Sequence, residues 1–194
     1  YCSLFLKFNI ENYISAIALI SKHISSTNLN ALNNTSIKLP QGRGEVLKLK
    51  QGKILIDFAH DHLSIFNILS ELANSYNEII VVFGCGGDRD KSKRPKMMKV
   101  VQDFASKIFF TSDNNRYESF SSIASDAMQG NDHSGAEIIE DRQEAIRSAL
   151  SHLNNENILV ILGKGHETDM EILGKKVPFN DKDCVLKIIG NEIN

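Results

Sequence analysis

The sequence predicts an α/β fold: one open, mainly parallel sheet with helices on both faces. Three observations lead there. Short apolar runs at 53–58, 79–83, 107–111 and 157–162 have the length of buried strands. Each is followed within a few residues by an apolar pattern of helical period. The stretches just past the runs are rich in glycine and charge, and in an open parallel sheet ligands bind in the crevice at the carboxyl ends of the strands.

Taken in order, residues 13–24 read as a helix with Ile14, Ile17, Ala18 and Ile24 near one face. An asparagine-rich stretch follows, then Leu39-Pro40-Gln41-Gly42-Arg43-Gly44-Glu45. Proline and glycine at that density mark a break, so a domain boundary is expected near residue 40. Beyond it, Leu63, Phe66, Leu69 and Leu72 form one helical face, and Val100, Val101, Phe104 and Ala105 a second. Pro95 sits in the first turn of that second helix, which its fixed φ favours. Phe120, Ile123, Ala124 and Ala127 form a third face; Ala145, Ile146, Ala149, Leu150 and Leu153 form a fourth. Residues 136–140 add a short strand, 170–179 a hairpin turning at Gly174, and 181–189 a last helix. Strands alternating with helices require right-handed crossovers, giving a Rossmann-like arrangement.

Composition narrows the function. The chain has 194 residues, room for one sizeable domain and part of another. With 24% charged residues and a net charge of -2, nothing favours nucleic acid or an anionic membrane as partner. Cys2, Cys85 and Cys184 are far apart and odd in number, so neither a disulfide framework nor a zinc ribbon is indicated, and a reducing cytoplasm fits. No apolar stretch reaches membrane-spanning length. The chain starts at Tyr1 without methionine or a signal-peptide layout, as if cut from a longer protein.

Three junctions carry the chemistry. Val81-Val82-Phe83-Gly84-Cys85-Gly86-Gly87-Asp88-Arg89-Asp90 ends in dense charge, Asp113-Asn114-Asn115-Arg116 follows the third run, and Gly163-Lys164-Gly165-His166-Glu167 follows the fourth. Arg89 between two aspartates would be held rigid for bidentate carboxylate binding, unless the cluster is only a solvated charge run. Arg89, Arg116 and Glu167 on one sheet edge give two cationic forks and one carboxylate, which suits an amino-acid zwitterion. Asp57 and His60, just past a buried strand, either accept ribose hydroxyls or cap the next helix. The His60–His62 pair has no further ligand at metal spacing. Neither glycine cluster has the order of a dinucleotide fingerprint or a phosphate loop. Gly163 and Gly165 would instead let backbone approach a ligand, with Glu167 facing an ammonium group.

These stretches together resemble the C-terminal domain of the Mur ligases, the ATP-dependent amide-forming enzymes of peptidoglycan synthesis, and within them the type adding meso-diaminopimelate. The matching segments are Gly42-Arg43, 57–60, 83–95, 111–116, Asp141-Arg142 with Ala145-Ile146, and 163–167. The resemblance covers roughly residues 40–190. It implies residues 1–38 as the tail of a preceding ATP-binding domain and 39–194 as the amino-acid-binding domain. It also implies an acyl-phosphate mechanism with ATP and Mg2+, and UDP-N-acetylmuramoyl dipeptide as the other substrate. Arg43, Asp57 and His60 would lie on the nucleotide side. Arg89, Asp113, Asn114, Asn115, Arg116, Gly163 and Glu167 would hold the diaminopimelate. Asn115 stands where the family motif has proline, Asp61-His62 where it has Thr-Pro, and Gly44 where methionine is usual.

No catalytic residue is assigned within the chain. A Walker-type phosphate loop, the magnesium-supporting lysine and the nucleotide-sugar domain are absent, so this piece by itself is expected to be inactive. Two alternatives stay open: a lysine-adding or folylpolyglutamate-type ligase, and a stand-alone amino-acid-binding module.

Overall fold

The structure, a computed structural model, describes residues 6–23, 39–131 and 135–192. They fall into two compact units that part between Pro40 and Gln41. In the first unit helix α1 spans Lys7–Ile20, starting well before the expected residue 13. Lys7 and Glu11 pair one turn apart at 3.7 Å within the added stretch. Ile14 is exposed, Ile17 half-buried, and Ile24 lies outside the described residues.

The second unit holds a six-stranded sheet of order β1-β2-β6-β3-β4-β5. Its strands are β1 Glu45–Leu49, β2 Gly52–Asp57, β3 Glu78–Phe83, β4 Lys107–Phe110, β5 Ala136–Ile138 and β6 Asn157–Leu162. Only β1 is antiparallel to its neighbour. It is absent from the sequence reading because Glu45-Val46-Leu47-Lys48-Leu49 is short, half-polar and directly follows a glycine-rich turn. A separate hairpin is formed by β7 Asp169–Ile172 and β8 Lys175–Pro178.

Chain direction explains why both sheet faces are covered. From β2 the chain moves through β3 and β4 to β5, connected by α2 His62–Leu72, α3 Lys93–Phe104 and α4 Phe120–Met128, which pack side by side. It then reverses through α5 Arg142–Leu150 to insert β6 between β2 and β3. A right-handed crossover changes face when the direction of travel along the sheet reverses. Hence α5, with α6 Asp181–Glu192, covers the second face. There Ala145, Ile146, Ala149, Val185 and Ile188 pack on Ile54, Ile56, Ile80, Val82, Phe109, Leu159 and Ile161. Alternate residues of the same strands turn the other way. Among them, Phe110 stacks on Phe120 of α4 at 6.0 Å.

The expected faces of α4 and α5 are buried as read. In α2 the face is rotated: Ile65, Ile68, Leu69 and Leu72 are buried, while Leu63 and Phe66 are exposed. Two interleaved apolar rows run along this helix. The sheet takes one, and Phe66 of the other lies edge-on to Phe104 of α3 at 5.6 Å. In α3, Met97, Met98 and Val101 are buried, with Val100 and Phe104 only half-buried. The cap of α2 is Asp61, whose Oδ1 accepts from the Leu63 and Ser64 amides, so neither Asp57 nor His60 has that task.

One buried ion pair ties the sheet to α6. Arg142 and Asp181 are both fully buried; Nε donates to Oδ1 at 2.7 Å and Nη2 to Oδ2 at 2.9 Å. Nη1 also donates to the Ser112 carbonyl just past β4, and Nη2 to the Leu162 carbonyl at the end of β6. One side chain thus fixes two strand ends from which site loops depart.

Cys85 and Cys184 are unpaired and buried. Burial pushes their thiols up to about 12 and about 11, leaving little thiolate to react. Cys85 should therefore resist iodoacetamide at mildly alkaline pH until the protein unfolds, as site-resolved mass spectrometry would show. Rapid native labelling of Cys85 would contradict the packing. No helix among the described residues is long and apolar enough to cross a membrane.

Candidate functional site

The loops after β2, β3, β4 and β6 all leave the carboxyl edge of the sheet, at the point where strand order reverses. They enclose a cleft of about 450 Å³. Arg89, Asp113, Asn114, Arg116, Gly163, Glu167 and His60 all line it. Asn115, Arg43 and Asp57 do not.

Asn114 braces the cleft. Its Nδ2 donates to Glu167 Oε2 at 2.9 Å, its Oδ1 accepts from the Glu171 amide at 2.9 Å, and its carbonyl accepts from the Gly87 amide at 2.9 Å. Three loops are joined through one residue. Burial pushes the Glu167 carboxyl up, but hydrogen bonds from Lys164 and Asn114 outweigh it and hold it below the usual range. Gly163 has φ +107, and a Cβ there would lie 2.7 Å from Asp113 Oδ2, so the loop after β6 passes the Asp113 carboxylate only as glycine. Asp113 itself is 6% exposed, and its Oδ1 has no hydrogen-bond partner.

Arg116 is set by the hairpin, a link the sequence reading did not contain. Its amide donates to the Glu171 carbonyl at 2.9 Å, its carbonyl accepts from the Leu173 amide at 2.6 Å, and Nε lies 3.4 Å from Glu171 Oε2. Nη1 donates to the Gly87 carbonyl at 2.8 Å. Among the described residues nothing bonds Nη2. The hairpin thus supplies order that the loop lacks without its proline.

Asn115 turns away from the cleft, with Nδ2 on Ser112 Oγ at 3.1 Å. Its own amide hydrogen has no acceptor among the described residues, so a proline would forfeit no backbone bond. Asn115→Pro should leave the melting temperature unchanged or raise it by a few degrees, corresponding to about 0.4–1 kcal/mol. A marked fall would show that the turn needs the asparagine.

Arg89 corrects an expectation. Neither flanking aspartate holds it: Asp88 Oδ2 accepts from the Tyr117 amide, and Asp90 Oδ1 accepts from Ser92. Arg89 is exposed and makes no ion pair among the described residues. The rigid guanidinium is Arg94, 1% exposed, whose Nη1 and Nη2 grip Glu118 at 2.8 and 2.6 Å while Nη2 also reaches the Gly86 carbonyl. The Arg94 bond holds the Glu118 carboxyl far below the usual range. Glu118 in turn accepts the Asp88 amide, so this pair builds the loop that carries Arg89.

Beside the cleft, Asp57 is also occupied: Oδ2 accepts from the Gly44 amide at 2.6 Å and Oδ1 from the Ala59 amide at 2.8 Å. Burial pushes its carboxyl up, against those two bonds. Gly42 and Gly165 press backbone on backbone, both at positive φ, so Gly165 packs the last loop on the 42–44 turn, while Gly163 lines the cleft. The Arg43 guanidinium lies over the Phe58 ring at 4.4 Å, with the His60 and His166 rings at 4.7 and 5.0 Å from it. His60 Nδ1 is 2.9 Å from the Phe58 carbonyl, which only accepts, so Nδ1 carries the proton of that bond and Nε2 is not used by it. Among the described residues no group of three or more His, Cys, Asp or Glu is placed to hold a metal ion.

Comparison with known proteins adds a family. The model described as "Mur ligase, glutamate ligase domain" matches residues 42–165. UDP-N-acetylmuramoyl-L-alanyl-D-glutamate–2,6-diaminopimelate ligase of Fusobacterium nucleatum is 38% identical over 191 residues, 96% of this chain and 39% of its own length. The protein of the same name from Helicobacter hepaticus is 44% identical over 146 residues, 74% of this chain and 31% of its own. A solved structure of a ligase with that name superposes with a TM-score of 0.79 at 35% identity, covering 100% of this chain and 40% of the other. UDP-N-acetylmuramate-alanine ligase of Thermotoga maritima shares the fold, with a TM-score of 0.65 at 16% identity. The chain thus spans well under half the length of these relatives.

Proposed function

The chain belongs to the Mur ligase family, and we propose that it is the amino-acid-binding C-terminal part of an ATP-dependent ligase. The full-length protein adds meso-diaminopimelate to UDP-N-acetylmuramoyl-L-Ala-D-Glu in peptidoglycan synthesis, in the cytoplasm. Residues 1–38 are then the tail of the ATP-binding domain and 39–194 the domain that presents the amino acid. One observation carries the choice of ligand: the cleft sets cationic donors from Arg116 and Arg89 against the carboxylates of Glu167 and Asp113. Diaminopimelate carries an ammonium and a carboxylate at each end, and so has a partner for both signs at both ends. Arg116 Nη2, with the second Nδ2 hydrogen of Asn114, takes the distal carboxylate, Glu167 takes the ammonium, and Arg89 closes over the ligand. A lysine ligand would leave Arg116 Nη2 without an acceptor.

Mur ligases are ATP-dependent, and this chain offers the nucleotide an edge rather than a cradle. Arg43 on Phe58 and the Nε2 of His60 suit a ribose or phosphate, whereas Asp57 acts mainly by holding the 42–44 turn in place. Bound ATP, with Mg2+, supplies the phosphoryl group that activates the acceptor carboxylate. The residues here bring the amine to it and orient it.

The test is a ligation assay on the full-length gene product with ATP, Mg2+, the nucleotide dipeptide and one amino acid at a time. Mass spectrometry should find product with meso-diaminopimelate. Product with L-lysine or L-glutamate in its place would contradict the reading.

A further inference from the structure

Lys164 is fully buried, rare for a side chain whose ammonium is costly to strip of water. Its Nζ lies 2.8 Å from Glu167 Oε2, 2.7 Å from the Asp169 carbonyl and 3.8 Å from Asp113 Oδ1. It does not line the cleft, whereas Glu167 and Asp113 both do. The charge therefore stands behind two carboxylates and faces away from any ligand.

We infer that Lys164 is a positioning residue: its buried ammonium fixes the Glu167 carboxylate in one orientation and leaves a single oxygen for a ligand ammonium. This rests on the function proposed above. Lys164 and Asn114 both bond Oε2, so Oε1 is the oxygen left. Two carboxylates crowding one pocket wall would otherwise favour protonating one of them. The charged groups around Glu167 are Asp113 from the loop after β4, Asp169 from β7, and Arg89, Asp90, Lys93, Arg94, Arg116 and His60 around the cleft. Among the described residues, the only cation bonded to Glu167 is Lys164. Without it, burial and the neighbouring Asp169 charge would push the Glu167 carboxyl up, opposed only by the Asn114 bond.

The experiment compares wild type, Lys164→Met and Lys164→Arg in the full-length gene product, measuring meso-diaminopimelate affinity by calorimetry at about pH 8 and about pH 5.5. Wild type should show nearly constant affinity. Lys164→Met should lose affinity measurably on going to the lower pH, as Glu167 takes up a proton and no longer pairs with the ligand ammonium. Lys164→Arg, which keeps the charge, should restore most of the pH insensitivity. A folded Lys164→Met protein with the wild-type pH profile would overturn the inference. If Lys164→Met does not fold, a ¹³C titration of Glu167 in wild type decides. Titration below the usual glutamate range supports the role, and titration within or above it overturns it. That titration needs no ligand, so absence of diaminopimelate binding would sink the functional reading while leaving the Lys164 question answered separately.

Discussion

Arg116→Ala in the full-length gene product is expected to weaken meso-diaminopimelate binding at least tenfold. Truncating one partner of a desolvated charge pair costs on the order of 2–5 kcal/mol. Arg116 keeps some solvent contact, so the lower end of that range applies. The same change should barely affect L-lysine, which has no second carboxylate, and the preference between the two amino acids should narrow by the same factor. Competition calorimetry with both ligands measures this ratio directly. An unchanged ratio would reduce Arg116 to a support of the turn, held by Gly87 and Glu171 for structure alone.

Arg142→Ala should have the largest effect on stability. It strands Asp181, fully buried, and frees the Ser112 and Leu162 carbonyls. Removing one partner of a buried pair typically costs about 3–5 kcal/mol. For a unit of this size that is a fall in melting temperature of roughly 10 °C or more. The double change Arg142→Met with Asp181→Leu should recover much of the loss, because no charge remains buried alone. Thermal unfolding within ~2 °C of wild type for Arg142→Ala would show that the pair does not hold the strand ends.

Much of the fold is legible because fully buried strands and one-faced helices leave strong patterns. The runs that became β2, β3, β4 and β6, and the faces of α4 and α5, are of this kind. Weak or doubled patterns are not. Strand β1 is half-polar, and α2 carries two apolar rows between which sequence has no means of choosing.

The site shows the same division. Its loops are legible because glycine and charge cluster at strand ends. What holds them is not, because it depends on partners far apart in sequence. Glu171 reaches back to Asn114 and Arg116, and Glu118 reaches back to Asp88. Local spacing pointed to Arg89 flanked by aspartates, yet both aspartates serve backbone amides. Lys164 looked like part of a glycine-rich loop, and only its full burial shows that it supports Glu167.

Arg116 and Glu167 can act as described only if the cleft is the seat of the amino acid. A crystal structure of the full-length gene product with meso-diaminopimelate tests this most directly. One carboxylate should lie within hydrogen-bonding distance of Arg116 Nη2 and Asn114 Nδ2, with an ammonium group on Glu167 Oε1. Diaminopimelate bound outside the cleft, or bound inside it with its ammonium away from Glu167 and its carboxylate away from Arg116, would contradict the account.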